Sequence, residues 1–270
     1  MALFPRLRGR VATKDEVLED LVELHRARPG ITEATLGGFR DAARRTGYDL
    51  LAAKAEGVVL DLGCGNGPLT AAIRGHEVIG VDACGPEAEL TRQRFPGMVV
   101  HEARGQALPL ADASIDSVLS HHAFYLFDPI EPAIAEIARV LRPGGLFAFV
   151  TSSFRDPAES PLFAASMQAY SENTKKENPD FRGWGDRRVW SKDGLTELFS
   201  GAFEPYTIEE HTLAIEEPTP ALVDRLARFF YSFELQSPAL QAATRAAWTE
   251  LLADGHLDFP TAIVSMRRIA

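Results

Sequence analysis

The sequence is short of cysteine, of basic runs and of long apolar stretches, and each shortage removes a class of protein. Two cysteines, Cys64 and Cys84, in 270 residues do not make a disulfide framework, and both fall in turns that follow apolar runs. No apolar run reaches the roughly 18 residues expected of a membrane-crossing helix. Lys and Arg total 28 against 38 Asp and Glu, a formal net charge of −10. A dedicated nucleic-acid binder shows a basic face, and no long basic run occurs here. The opening residues, MALFPRLRGR, lack the apolar core of a secretory leader, so the expected location is the cytoplasm. No internal repeat or low-complexity tract stands out. What is present is a chain of 46% hydrophobic residues, long enough to bury a full α/β core.

The stretch around which the rest is organised is Val58–Thr70, VVLDLGCGNGPLT. A short apolar run carrying one acid, Asp61, passes directly into glycines, which reads as a buried strand entering a tight turn. Gly63, Gly65 and Gly67 alternate. Such positions let another group lie against the main chain with no Cβ in the way. A dinucleotide loop, G-x-G-x-x-G, fails because Pro68 stands where its third glycine belongs. A phosphate loop fails because no Lys-Ser or Lys-Thr pair follows Gly67. What fits is D-x-G-x-G-x-G, whose acid suits a ligand with a cationic near end.

That pattern resembles motif I of the class I S-adenosylmethionine-dependent methyltransferases, and its D-L-G-C-G-x-G form is similar to the ubiquinone/menaquinone-biosynthesis-like branch. A second expected strand, Glu77–Val81, ends at Asp82, at an interval that suits a βαβ unit. A carboxylate there can accept both ribose hydroxyls of an adenosine. Arg104-Gly-Gln-Ala-Leu-Pro-Leu110 is similar to the family's D-A-E-x-L-P-F segment, except that Arg104 stands at the position whose acid usually meets the adenine amino group. Asp112–Asp116 resembles the turn into strand four, and Leu141-Arg-Pro-Gly-Gly145 is a further family signature. These motifs follow the family's order over residues 58–151.

Read along the chain, Thr13-Lys-Asp-Glu16 is a capping box opening a helix that stops at Pro29-Gly30. A second helix is expected over Thr32–Lys54, with Gly37-Gly38 as its weak point. Strands are expected at Met98–Glu102, Ile115–Ser120, Leu146–Thr151, Tyr206–Ile215 and Thr261–Arg268. A helix capped by Asp128, with Glu131 completing a box, should end at Arg142–Gly145. Helices are also expected over Pro161–Thr174, Ser191–Ser200, Thr219–Phe233 and Ser237–Leu252. Phe229, Phe230, Tyr231, Phe233, Trp184 and Trp190 could line a pocket, although aromatic stripes at helical spacing are more often core.

The fold class expected is α/β: a Rossmann-like, seven-stranded, mainly parallel sheet with helical additions over the site. The resemblance implies the order 3-2-1-4-5-7-6. The chain reads as one domain over 1–270, with a helical cap at 1–55, a cofactor-binding core at 56–152 and substrate-side elements with the last strands at 153–270. The activity implied is methyl transfer from S-adenosylmethionine to a small-molecule acceptor, at O, N, S or C, such as a phenol or secondary metabolite. The alternatives are another reaction in the same fold, such as cyclisation, or a non-catalytic subunit. Cofactor contacts are expected from Asp61, Gly63, Cys64, Gly65, Asn66, Asp82, Ala83, Gly105, Gln106, Ala107, Ser120 and Tyr48. His121 and His122, at the carboxyl edge of strand four, are the candidate catalytic residues, with His122 favoured as a base near pKa ~6.5. Strand alternation would point them in opposite directions. No metal site is expected. Nucleic acid and membrane are not expected partners, and the chain should be a monomer or homodimer.

Overall fold

Strand β1 (Val58–Leu62) buries four of its five residues, because it lies inside a sheet covered on both faces. The computed structural model describes residues 14–177, 185–230, 233 and 236–269. The other strands are β2 (Glu77–Asp82), β3 (Val99–Glu102), β4 (Ile115–His121), β5 (Leu141–Ser152), β6 (Thr207–Glu216) and β7 (His256–Arg267). Their order is β3-β2-β1-β4-β5-β7-β6, as the family resemblance implies. Strands β1 to β5 pair in parallel, and β7 inserts antiparallel between β5 and β6.

Alternate residues of the central strands feed two cores. Val59, Leu119 and Val150 face one, and Leu60, Val118 and Phe149 face the other. Ten helices cover these faces among the described residues: α1 (Lys14–Ala27), α2 (Ile31–Leu36), α3 (Gly47–Ala52), α4 (Pro68–Ala72), α5 (Gly85–Arg94), α6 (Ile130–Val140), α7 (Pro161–Glu177), α8 (Lys192–Phe199), α9 (Thr219–Phe229) and α10 (Pro238–Leu251). Helices α6 and α8 bury Ile134, Ile137, Leu195 and Phe199 against Phe124, Phe147 and Phe149. Helices α3, α7, α9 and α10 share the opposite core.

Several expectations are corrected. The long helix over Thr32–Lys54 is two short ones. The amide of Gly37 closes α2 onto the Glu33 carbonyl, and Arg40 then pairs with Ala214 of β6. A capping box restarts the chain as α3: Thr46 Oγ1 accepts from Asp49 N at 3.0 Å, and Asp49 Oδ2 accepts from Thr46 N at 2.8 Å. Asp128 does not cap α6. Pro129 takes that position without a side-chain cap, and Glu131 accepts instead from Arg188. Strand β5 begins at Leu141 rather than Leu146. Ile115 pairs with Leu141 and Ser117 with Leu146, so residues 142–145 form an irregularity within the strand. Strand β7 starts at His256, well before Thr261, because β6 continues to pair with it there. The expected cap at Thr13, and Trp184 and Tyr231, lie outside the described residues.

The aromatic run after α9 belongs to the core. Phe230 stacks on Tyr170 with ring centroids 4.5 Å apart, and Phe233 stacks on Trp248 at 5.4 Å. Trp248 is fully buried, and its indole N–H donates to the Ser166 carbonyl at 3.0 Å. Trp248→Ala should therefore lower the unfolding free energy by about 3–5 kcal/mol, measured by urea denaturation. Trp248→Phe, which keeps most of the volume, should cost less than half as much. Equal losses would mean that the indole N–H bond, not the packing, holds this layer.

Candidate active site

The cavity lies at the carboxyl ends of β1, β2 and β4, where ligands bind in open α/β sheets. Its floor is the glycine turn. The amides of Gly63 and Cys64 both donate to the Val81 carbonyl, at 2.8 and 3.1 Å, fastening the turn to β2. Gly63 has φ +76, and a Cβ there would collide with the Ala123 side chain. Gly65 has φ +54 and, by contrast, a Cβ on it would meet only Glu87 Oε2, at 3.9 Å. Its α-carbon thus presents main chain to open space, a wall against which a ligand can lie closely.

Two carboxylates sit under this turn. Asp82 Oδ2 accepts from Gly65 N and Oδ1 from Cys84 N, each at 2.8 Å. Burial raises its pKa. Asp61 is 1% exposed, and its Oδ2 accepts from Thr70 Oγ1 at 2.7 Å and from Thr70 N at 3.1 Å. Burial pushes its pKa up to about 7, against the Thr70 hydrogen bonds and with help from Asp82.

The two histidines are on the same side, not opposite sides. His121 ends β4, but His122 has φ +52, outside the extended region, and this turns its ring back. The ring centroids are 4.9 Å apart and both side chains line the cavity. Tyr48 stacks on His121 at 3.9 Å. Gly47 makes this possible, since a Cβ there would lie 2.8 Å from His121 Nε2. His121 Nδ1 is buried without a hydrogen-bond partner among the described residues. Burial, and secondly the neighbouring His122, hold His121 well below the usual histidine range. Burial alone pushes His122 down to about 4, so the expected base near 6.5 is instead a weakly basic, neutral imidazole.

The cavity is lined by Tyr48, Asp61, Gly63, Cys64, Gly65, Asn66, Asp82, Ala83, Gly105, Gln106, His121 and His122. Ala107 and Ser120 are not among its lining residues. Ser120 is fully buried and its hydroxyl donates to the Leu62 carbonyl, tying β4 to β1. The amide of Gln106 donates to the Pro129 carbonyl, and the Arg104 guanidinium to that of Asp128. Both side chains therefore steady the loop after β4. The Asn66 amide donates to Glu33 Oε2 at 2.6 Å and so reaches α2. The aromatic residues Phe229, Phe230, Phe233 and Trp190 do not line the cavity. Residues that sequence reasoning missed are Leu21, Val22 and His25 of α1, Glu87 of α5, and Leu126 and Phe127. The α1 residues arrive as that helix packs against α5, and Leu126 and Phe127 lie in the turn after β4, so their signal is distant in sequence from the glycine turn.

Residues 60–149 match the protein family described as a methyltransferase domain. With the sheet order and the glycine turn, this makes the core of the chain a domain of the class I S-adenosylmethionine-dependent methyltransferases. An uncharacterised methyltransferase of Mycobacterium tuberculosis is 42% identical over 94 residues, 34% of this chain and 38% of that protein. The demethylmenaquinone methyltransferase of Thermus thermophilus is 36% identical over 110 residues, covering 38% of this chain and 50% of the relative. The chain thus spans half or less of these two relatives. Among solved structures, the cyclase SpnF superposes with a TM-score of 0.59 at 18% identity, over 93% of this chain and 96% of that one. That likeness concerns the fold alone.

The depressed value of His122 has a consequence for stability. A histidine whose folded value lies below its unfolded one stabilises the fold above pH ~6.5, and that stability is lost as pH falls toward about 4. The loss is on the order of 3 kcal/mol. Asp61, raised to about 7, acts in the opposite sense, favouring the fold more at low pH. The comparison is therefore made against His122→Asn, which tolerates a left-handed φ. Melting curves from pH 7 to pH 4 should show the variant losing less stability than the parent. Parallel losses would mean that the ring is not held neutral by the fold.

Proposed function

We propose that this chain transfers a methyl group from S-adenosylmethionine to a small, uncharged, hydroxyl-bearing acceptor of the phenol or quinol kind. The observation that carries the reading is the open α-carbon of Gly65 beside an Asp82 carboxylate already oriented by two main-chain N–H groups. An adenosine with a cationic tail fits these residues. Asp82 would hold the ribose hydroxyls, and Gly63 and Gly65 would let the main chain approach. Asp61, near neutrality when no cation is present, would give up its proton beside an ammonium group.

The acceptor class is argued from what lines the other end. Tyr48, His121, His122, Ala123 and Leu126 offer apolar surface and neutral imidazoles. Arg104 is the one Lys or Arg among the lining residues, and it lies after β3 with its guanidinium on the Asp128 carbonyl. Among the described residues, an anionic acceptor would find no Lys or Arg beside the histidines. The name of the Thermus relative, a demethylmenaquinone methyltransferase, agrees with a quinol-like choice.

The bound cofactor supplies an electrophilic methyl group, so the chain's own residues mainly align and exclude water. His122 would accept the hydrogen bond of the acceptor hydroxyl and fix its direction. It would take the proton late, once the oxygen carries its new bond and has become far more acidic. A base of pKa about 4 suffices for that step. Tyr48 and His121, stacked together, would wall the acceptor from solvent. The test is release of S-adenosylhomocysteine from a panel of phenols and quinols set against carboxylates and amines. Turnover should appear with the hydroxyl compounds, and His122→Asn should lower kcat by about 10²–10⁴ with binding of S-adenosylhomocysteine unchanged. Cofactor binding without turnover on any member would favour cyclisation or a non-catalytic role.

A further inference from the structure

Glu87 stands in the first turn of α5, is 2% exposed and lines the same cavity. Its two oxygens are treated differently. Oε1 accepts from Gly30 N at 2.9 Å and is hydrogen-bonded with His25 Nδ1 at 3.0 Å. Oε2 is enclosed and has no hydrogen-bond partner among the described residues. It faces the glycine turn, 3.9 Å from the place of a Cβ on Gly65. Leaving a buried carboxylate oxygen without a donor is costly, and nothing in the proposed mechanism uses it.

We infer that Glu87 is a second carboxylate for the nucleoside part of the bound cofactor, its Oε2 accepting a hydrogen bond from a ligand O–H or N–H beside Asp82. Each oxygen of Asp82 already receives a main-chain N–H, whereas Glu87 Oε2 receives no hydrogen bond from the described residues. Through Oε1 the same carboxylate holds the α1–α2 junction, so ligand contact and closure of the N-terminal segment meet in one side chain. The inference rests on the reading of the cavity as an S-adenosylmethionine site.

The experiment is calorimetric titration of S-adenosylhomocysteine into the parent, Glu87→Gln, Glu87→Asp and His25→Ala. Glu87→Gln turns an N–H₂ or weakens the acceptor toward the ligand. Glu87→Asp keeps the charge but withdraws the oxygen by one methylene. Each should lose roughly tenfold or more in affinity, as for one charge-assisted hydrogen bond. His25→Ala removes a side-chain partner of Oε1 but leaves Oε2 in place, and should lose clearly less. Parent-like affinity in either Glu87 variant overturns the inference while leaving the cofactor reading intact. So does a His25→Ala loss as large as that of Glu87→Gln, since Glu87 would then be only a clasp. If Glu87→Gln does not fold, Glu87→Asp decides. Failure of the parent itself to bind removes both readings.

Discussion

Three carboxylates, Asp61, Asp82 and Glu87, are buried around one glycine turn, and much of the local structure answers to them. A buried carboxylate needs donors, and here the donors are mostly main-chain N–H groups. Thr70 N at the start of α4 serves Asp61, Gly65 N and Cys84 N serve Asp82, and Gly30 N serves Glu87. Each bond fixes a different segment: the start of α4, the glycine turn, the entry to α5 and the entry to α2. The buried acids thus place the loops while concentrating carboxylates at one end of the cavity, with His25 on Glu87 Oε1. Asp61 relieves part of that cost by titrating near neutrality. A ligand that brings hydroxyls and a positive charge meets the remaining demand.

The opposite wall is set by one turned residue. A histidine at φ +52 is an uncommon conformation for a residue other than glycine, and strain of this kind costs about 1–3 kcal/mol. The surrounding packing holds it. The His122 ring lies 5.6 Å from that of Phe259 on β7. Phe259 in turn packs with Phe39, Phe163 and Phe229, each with ring centroids 5.2 Å away. The helices inserted around β6 and β7 therefore reach the site through Phe259 rather than by lining it. That is a mechanical connection between the helical layer and a ring that lines the cavity.

The central strands were legible because their signals are local. An apolar run ending in glycines leaves few choices, and the sheet order followed from the family resemblance. The second helix was misread because Thr46 and Asp49 sit inside a run whose periodicity continues across them, and only tertiary pairing of Arg40 with β6 breaks it. The early start of β7 was hidden by Pro260, which reads as a breaker. The pairing of β7 with β5 ends at Thr261 with Ser152, so the proline falls just past that ladder. The proximity of His121 and His122 could not be read either, since strand alternation holds only while the residue stays extended. Glu87 was invisible for a different reason. An acid in the first turn of a helix already has a sufficient explanation in the helix dipole, and its burial depends on α1 packing over it.

Arg104 and Glu87 are best considered together. The resembling family carries an acid where this chain has Arg104, and that loss alone would strip one acceptor from the nucleoside end of the cavity. The Arg104 guanidinium turns instead to the Asp128 carbonyl, where it braces the loop that carries His122 and Phe127. A carboxylate enters the same cavity from α5, at Glu87, five residues after Asp82 in sequence. This chain thus has a carboxylate on the helix after β2 and Arg104 on the loop after β3. That placement has a physical consequence. An acid on the loop would touch the ligand without reaching the N-terminal helices, whereas Glu87 holds Gly30 and His25 with one oxygen. Recognition of the ligand is in this way moved onto the group that also closes the site.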